Sequence, residues 1–266
     1  MVNIMNMFTN LNKTKIISQR KLGWKKDLSD QRDIKFKVTA PKPTPPLIDL
    51  RPLCPPIYDQ GELGSCTSNA LAAAYEFEKM KQKQSFFMPS RLFIYYNERV
   101  MEKTVKSDAG AALRDGIKSL NIQGVCPEDM WKYNIKKFAT KPSSKCYSTA
   151  KKNEVQQYLS INNTSLNDIK QCLALGFPFV FGISVYESFM SDEVAKTGIV
   201  PMPKLNESLE GGHATLGVGY DDSKKMIITR NSWGLDWGIN GYFYLPYDYI
   251  TSSQLASDFW TIRLVE

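Results

Sequence analysis

The sequence predicts an α+β fold with two lobes and a cleft between them, and three observations lead there. From Gln60 to about Gln123 the pattern is helical, built on runs of strong helix formers. After Gly176 it changes to short aromatic and β-branched runs separated by turn residues. At 266 residues the chain can bury a sizeable core, as one large unit or two small ones around a cleft. Helices in one half and strands in the other favour two packed lobes over alternating βα units.

In chain order, a first helix is expected close to Ser65, where a glycine-punctuated polar loop meets Leu71-Ala72-Ala73-Ala74-Tyr75. A second follows Pro89 through Tyr95 and Glu98, because proline suits a first helical turn. A third covers Ala112 to Leu120 and is closed by Gly124. Residues 125–153 have weak periodicity and read as loops. Ser165 to Gly176 is a capped helix with a glycine stop. Strands are expected over Phe177 to Val185, Ala214 to Tyr220, Lys225 to Thr229, Gly241 to Leu245 and Phe259 to Val265.

Charge divides the chain. The net +7 resides in residues 1–46, which hold ten Lys/Arg and three Asp/Glu; the remainder is balanced. Those residues are therefore an N-terminal extension ending in a stiff proline-rich connector, and 47–266 form the body. A basic tail raises nucleic acid or an anionic surface as partners. The start of the chain lacks the basic opening and apolar core of a secretory signal, and no apolar run reaches the roughly 20 residues that span a bilayer. The expectation is a monomer working inside a cell or packaged in a virion.

Five cysteines, Cys54, Cys66, Cys126, Cys146 and Cys172, form no Cys-Xaa-Xaa-Cys pair, so neither a metal nor another cofactor is expected. Cys66 is singled out by its place in a first helical turn, where unpaired N–H groups and the helix dipole favour a thiolate. The one histidine, His213, follows two glycines at the start of a strand. Asn231 comes eighteen positions later, in Asn231-Ser232-Trp233-Gly234. Nucleophilic catalysis by sulfur needs a thiolate, an imidazolium that later protonates the leaving amine, and a group that orients the ring. An indole such as Trp233 over the Asn–His bond keeps water away, with Trp237 supporting it. The Gln60 amide and the Cys66 N–H are candidate donors to the oxyanion.

Gln-Gly-Xaa-Xaa-Gly-Ser-Cys, then Gly-His-Ala, then Asn-Ser-Trp-Gly-Xaa-Xaa-Trp-Gly-Xaa-Asn-Gly-Tyr resembles the papain-like cysteine proteases, over about 47–266. His213 lies 147 positions after Cys66, within the family's approximate spacing, and Asn231 lies 165 after. The resemblance implies a helical lobe over about 58–150, an antiparallel, barrel-like β lobe over about 151–258, and a terminal strand over about 259–266. It implies Cys66 as nucleophile, His213 as acid and base, Asn231 as orienting residue and Gln60 as oxyanion donor, acting on polypeptide substrates. Gly110 matches the glycine that pairs with the substrate chain. Ala111, Ala112, Gly211, Gly212 and Ala214 line the substrate side, and their small side chains suggest an open apolar pocket for a hydrophobic residue.

Departures from the pattern carry information. Leu63 replaces the usual disulfide cysteine near the nucleophile, and Thr67 replaces the usual aromatic after it. With one histidine the chain lacks the His-His occluding loop of the carboxydipeptidase branch, which favours an endopeptidase. The Leu22-Gly23-Trp24 and Asp30-Gln31-Arg32-Asp33 patches resemble the short lead-in of a bacterial and large-DNA-virus branch. The leading expectation is a zymogen whose extension crosses the cleft; the alternative is a weak or inactive binding protein on the same scaffold.

Overall fold

The computed structural model describes residues 20–38 and 43–266. The stretch 1–10 read above for targeting, and residues 41–42 of the proline connector, lie outside them. Helix α1 (Cys66–Lys81) runs through the centre, with α2 (Arg91–Met101) and α3 (Leu113–Gln123) beside it. Short helices α4 (Ser144–Ala150), α5 (Leu166–Ala174), α6 (Asp192–Thr197) and α7 (Tyr247–Thr251) complete the helical set. α1 is alanine-rich and buried along most of its length, as a helix packed on several sides must be.

The strands are β1 (Trp24–Lys25), β2 (Leu47–Asp49), β3 (Ala111–Ala112), β4 (Val155–Ser160), β5 (Phe179–Tyr186), β6 (Leu209–Asp221), β7 (Met226–Arg230), β8 (Tyr242–Pro246) and β9 (Ala256–Val265). Six of them form one antiparallel sheet in the order β4-β9-β5-β6-β7-β8, with β2 added on β6. This sheet is open: β4 and β8 pair with other strands but not with each other among the described residues, so the barrel-like lobe is not a closed barrel. Hydrogen bonds cover both edges instead. Ser160 of β4 accepts from Phe36 N–H and donates to Ile34 O, both in the extension, while Val200 N–H bonds Tyr244 O of β8.

Between sheet and helices lies an aromatic layer. Phe179, Phe181 and Phe259 come from paired strands β5 and β9, with ring centroids 5.0–5.3 Å apart. Gly217 faces this layer because a Cβ there would lie 2.5 Å from the Phe179 ring. The connector is pinned at its far end, where Tyr220 Oη donates to Pro45 O and Asp222 N–H to Pro46 O. Phe36 of the extension is buried in the same core.

Several elements were not legible from sequence. β4, α4, α6 and α7 are short, and β6 begins at Leu209, five residues before the expected Ala214, because pairing with β5 extends it. No described helix is long and apolar enough to cross a membrane. Phe181→Ala empties the middle of the aromatic layer and should cost about 3–5 kcal/mol. A chemical-denaturation midpoint lowered by that amount, with unchanged slope, is the expected result.

Candidate active site

The loop before α1 holds Gln60 by both ends of its amide. Ser232 Oγ donates to Gln60 Oε1 at 2.7 Å, which turns Nε2 inward. Backbone bonds from Gln60 N–H to Ser232 O and from Tyr133 Oη to Gln60 O fix the main chain as well. Cys66 is the first residue of α1 and completely buried. The backbone N–H groups of Ala214, Gly23 and Thr67 point to its sulfur.

His213 sits on β6, also fully buried. Its Nε2 lies 2.8 Å from Asn231 Oδ1, and that oxygen accepts from Ser232 N–H at 2.8 Å as well. Asn231 Oδ1 is therefore the acceptor, and Nε2 carries the ring proton. Nδ1 has no hydrogen-bond partner and keeps its lone pair. The Trp233 indole covers the imidazole at 4.8 Å between centroids, and Trp237 packs edge-on against Trp233 at 5.0 Å. Gln60, Ser232, Asn231 and His213 are thus joined in one hydrogen-bonded chain, and the N–H of Ala214, next to His213, lies near the Cys66 sulfur at the start of α1.

Residues 20–25 of the extension lie across this junction. Gln60 Nε2 donates to Lys21 O at 3.1 Å, besides Leu63 O at 3.0 Å. Ala111 N–H donates to Gly23 O at 2.8 Å, and β1 runs parallel to β3 with Trp24 opposite Ala111 and Lys25 opposite Ala112. Gly23 fits only because it has no side chain: a Cβ would overlap the carbonyl of Gly64. Gly110, at φ +70°, faces Gly23 from the other side with the same lack of room. Gly211 lies against Leu22 and Gly212 against Trp24. Of the expected substrate-side residues, Gly110, Ala111, Gly211 and Gly212 touch the extension and Ala214 turns its N–H to the sulfur; the Ala112 N–H is instead taken by Glu102 Oε1 at 2.7 Å.

Three basic residues of the extension pair with acids of the body. Arg20 pairs with Asp59 and donates to Trp233 O at 3.1 Å; Lys21 meets Asp108 and Lys25 meets Glu102, each at 2.8 Å. Arg114 of α3 reaches back to Asp33 of the extension at 2.6 Å.

Burial under the extension sets the electrostatics. It pushes the Cys66 thiol up to about 11 and His213 down to about 4, the latter against the opposing pull of Asn231 and helped by Arg20. Both groups are neutral here. Thr67, the departure beside Cys66, donates to Glu98 at 2.9 Å, a carboxyl that burial raises to about 8. The residue serves a buried acid behind the helix that an aromatic ring could not satisfy.

Sequence reasoning did not find Asp59, Asp108, Gly182 or Asp258, which touch or tether the extension. Isolated acids and glycines carry no pattern of their own. The five cysteines are unpaired, and no group of three His, Cys, Asp or Glu able to hold a metal occurs among the described residues.

Residues 44–261 match the model of the papain family of cysteine proteases. The chain belongs to that family. An uncharacterised peptidase C1-like protein of Acanthamoeba polyphaga mimivirus is 46% identical over 92% of this chain and 88% of its own length. The crystal structure of xylellain, a cysteine protease from Xylella fastidiosa, superposes with a TM-score of 0.85 at 44% identity, covering 93% of this chain and 97% of that one. Pro-cathepsin H of Mus musculus is 26% identical over 71% of this chain, which spans 55% of that protein. The papain-like fold and a cysteine peptidase acting on polypeptides follow from this membership.

Thr67→Val leaves the Glu98 carboxyl without its donor and should destabilise the protein by about 1–3 kcal/mol in a denaturant titration, without adding exposure to Cys66.

Proposed function

We propose that the protein is a cysteine endopeptidase that uses Cys66, His213, Asn231 and Gln60, held latent by residues 20–38 of its own extension. The observation that carries this reading is the Lys21 carbonyl on Gln60 Nε2, the donor a substrate's scissile oxygen would need. The Gly23 N–H lies near the Cys66 sulfur as well, so the extension occupies the groove at both the oxyanion donor and the thiol.

With the groove open, acylation comes first and deacylation second. His213 Nδ1 takes the thiol proton, and the thiolate bonds to the substrate carbonyl carbon. The oxyanion is received by Gln60 Nε2 and the first-turn N–H of Cys66. Protonated His213 hands its proton to the amine as the C–N bond breaks, leaving an acyl-enzyme. Water, deprotonated by His213, then cleaves the thioester and regenerates the thiol. Asn231 keeps the ring proton on Nε2 throughout, which leaves Nδ1 to do the transfers.

Latency gives two expectations. Gly23→Ala forces the extension away from Gly64 at a cost of about 1–3 kcal/mol, so epoxide labelling of Cys66 and hydrolysis of short peptides should both rise about tenfold or more. Deleting residues 1–46 should do the same, and unchanged rates in both variants would defeat the latency reading.

The second expectation concerns pH. Asp27 is raised from 3.8 to about 7, first by burial and then by Asp258, against Arg114 and the Trp260 N–H. An acid raised in the docked state favours docking fully below its ordinary value, and that contribution fades as pH climbs through about 4 to about 7. Asp59 works the other way: Arg20 and the Gly61 N–H lower it despite burial, so its contribution is lost only in stronger acid. The extension should thus be held best under mildly acidic conditions and loosen toward neutrality. Wild type should be labelled several-fold faster than Asp27→Asn at pH 8, with the two rates converging as the pH falls toward about 4.

A further inference from the structure

The side chain that plugs the groove shows what its pocket is built to hold. Trp24 stands over Gly182 of β5 and Gly212 of β6, and a Cβ at either glycine would overlap its indole or its carbonyl. Gly212 is the residue immediately before His213, so the pocket opens beside the catalytic pair. At its far end Asp258 Oδ2 accepts the indole Nε1–H at 3.0 Å and the Asp27 N–H at 2.7 Å.

Asp258 is aimed there by the backbone. On β9, Trp260 pairs with Val180 and Ser257 with Gly182, so two residues of β9 oppose one of β5. Asp258 lies in this bulge with φ +59°, a left-handed conformation that a non-glycine residue adopts at a cost and that turns the side chain out of the ladder. The expected apolar pocket therefore ends in a carboxylate.

We infer that Asp258 is a specificity-determining residue, favouring substrates whose side chain in this pocket ends in an N–H donor: arginine, lysine or tryptophan. This deepens the endopeptidase reading and rests on it. The Trp24 indole and the Asp27 N–H belong to the extension, so displacing it leaves the Asp258 carboxylate with Ser257 of the body and without its two N–H donors. A substrate with N–H groups at that depth replaces the lost bonds, whereas an aliphatic one leaves the carboxylate unsatisfied. Asp27 departs with the extension. Ser257 adjoins Asp258, and the body's competing cation is Arg114, which forks onto Asp33 and lies over the Trp260 ring at 5.6 Å.

The test uses the full-length chain carrying Phe36→Ala, which loosens the extension outside the cleft. Ratios of kcat/KM between peptides are unaffected by the fraction of open molecules, so a fluorogenic library varied at each position reads the pocket directly. Arg, Lys and Trp should lead at one position, and Asp258→Ser should lower the Arg-to-Leu ratio there by about tenfold or more. A library led by Leu, Val or Phe and unmoved by Asp258→Ser overturns the inference while leaving the endopeptidase intact, and is the result expected if Arg114 swings onto Asp258. A second arm needs no turnover. Trp24→Phe, which deletes only the N–H, should raise epoxide labelling of Cys66 several-fold, Trp24→Arg should not, and Asp258→Ser should abolish the difference. Equal labelling of Trp24→Phe and Trp24→Arg while Asp258 is intact rejects the inference even where peptides are not cleaved. Absence of both cleavage and Cys66 labelling in the loosened chain rejects the endopeptidase reading itself, and the inference with it.

Discussion

The close approach of glycines holds residues 20–25 against the body of the protein. Gly23 in the extension passes between Gly64, which precedes the cysteine helix, and Gly110 in the loop before α3, with no room for a Cβ on Gly23 or on Gly110. Main chain packed on main chain brings the extension within hydrogen-bond distance of Ala111 and Gln60 and sets the Gly23 N–H near the sulfur. Everything distinctive about the site follows from that distance. Water is excluded, and with it the solvation that would let a thiolate and an imidazolium form.

Around that contact the charges are arranged to position and not to drive docking. Arg20, Lys21 and Lys25 each find an acid on the body, yet several of these pairs are partly solvated and individually worth little. Their value is register: they set which residue lies at the sulfur. The greater hold comes from burial, with Phe36 in the core and the Trp24 indole over two glycines. The buried Asp27–Asp258 pair opposes this hold, because bringing two carboxyls together costs most when both are ionised.

The family membership and the local geometry explain different things. Membership in the papain family accounts for the fold and the peptidase class. It does not account for a threonine beside the cysteine or an aspartate at the end of the Trp24 pocket. Those depend on this chain's own packing: a buried Glu98 in need of a donor, and a bulge in β9 that turns Asp258 inward.

Taken alone, the amino-acid sequence determined the α+β class, the central helix starting at the cysteine, most of the strands of the main sheet, and the Gln60, Cys66, His213 and Asn231 candidates. Periodicity, helix-forming composition and short motifs are local properties, and each of these readings needed nothing more. The basic extension was visible as a charge imbalance, but its path was not. Only the tertiary structure decided that the sheet stays open, that Gly23 lies at the sulfur, and that Asp258 ends the neighbouring pocket. These depend on contacts between residues up to 234 positions apart, such as Trp24 with Asp258, and on one bulge in one strand. Such facts arise when separate elements pack, because a lone aspartate or glycine has no neighbours in sequence that reveal what it will face in space.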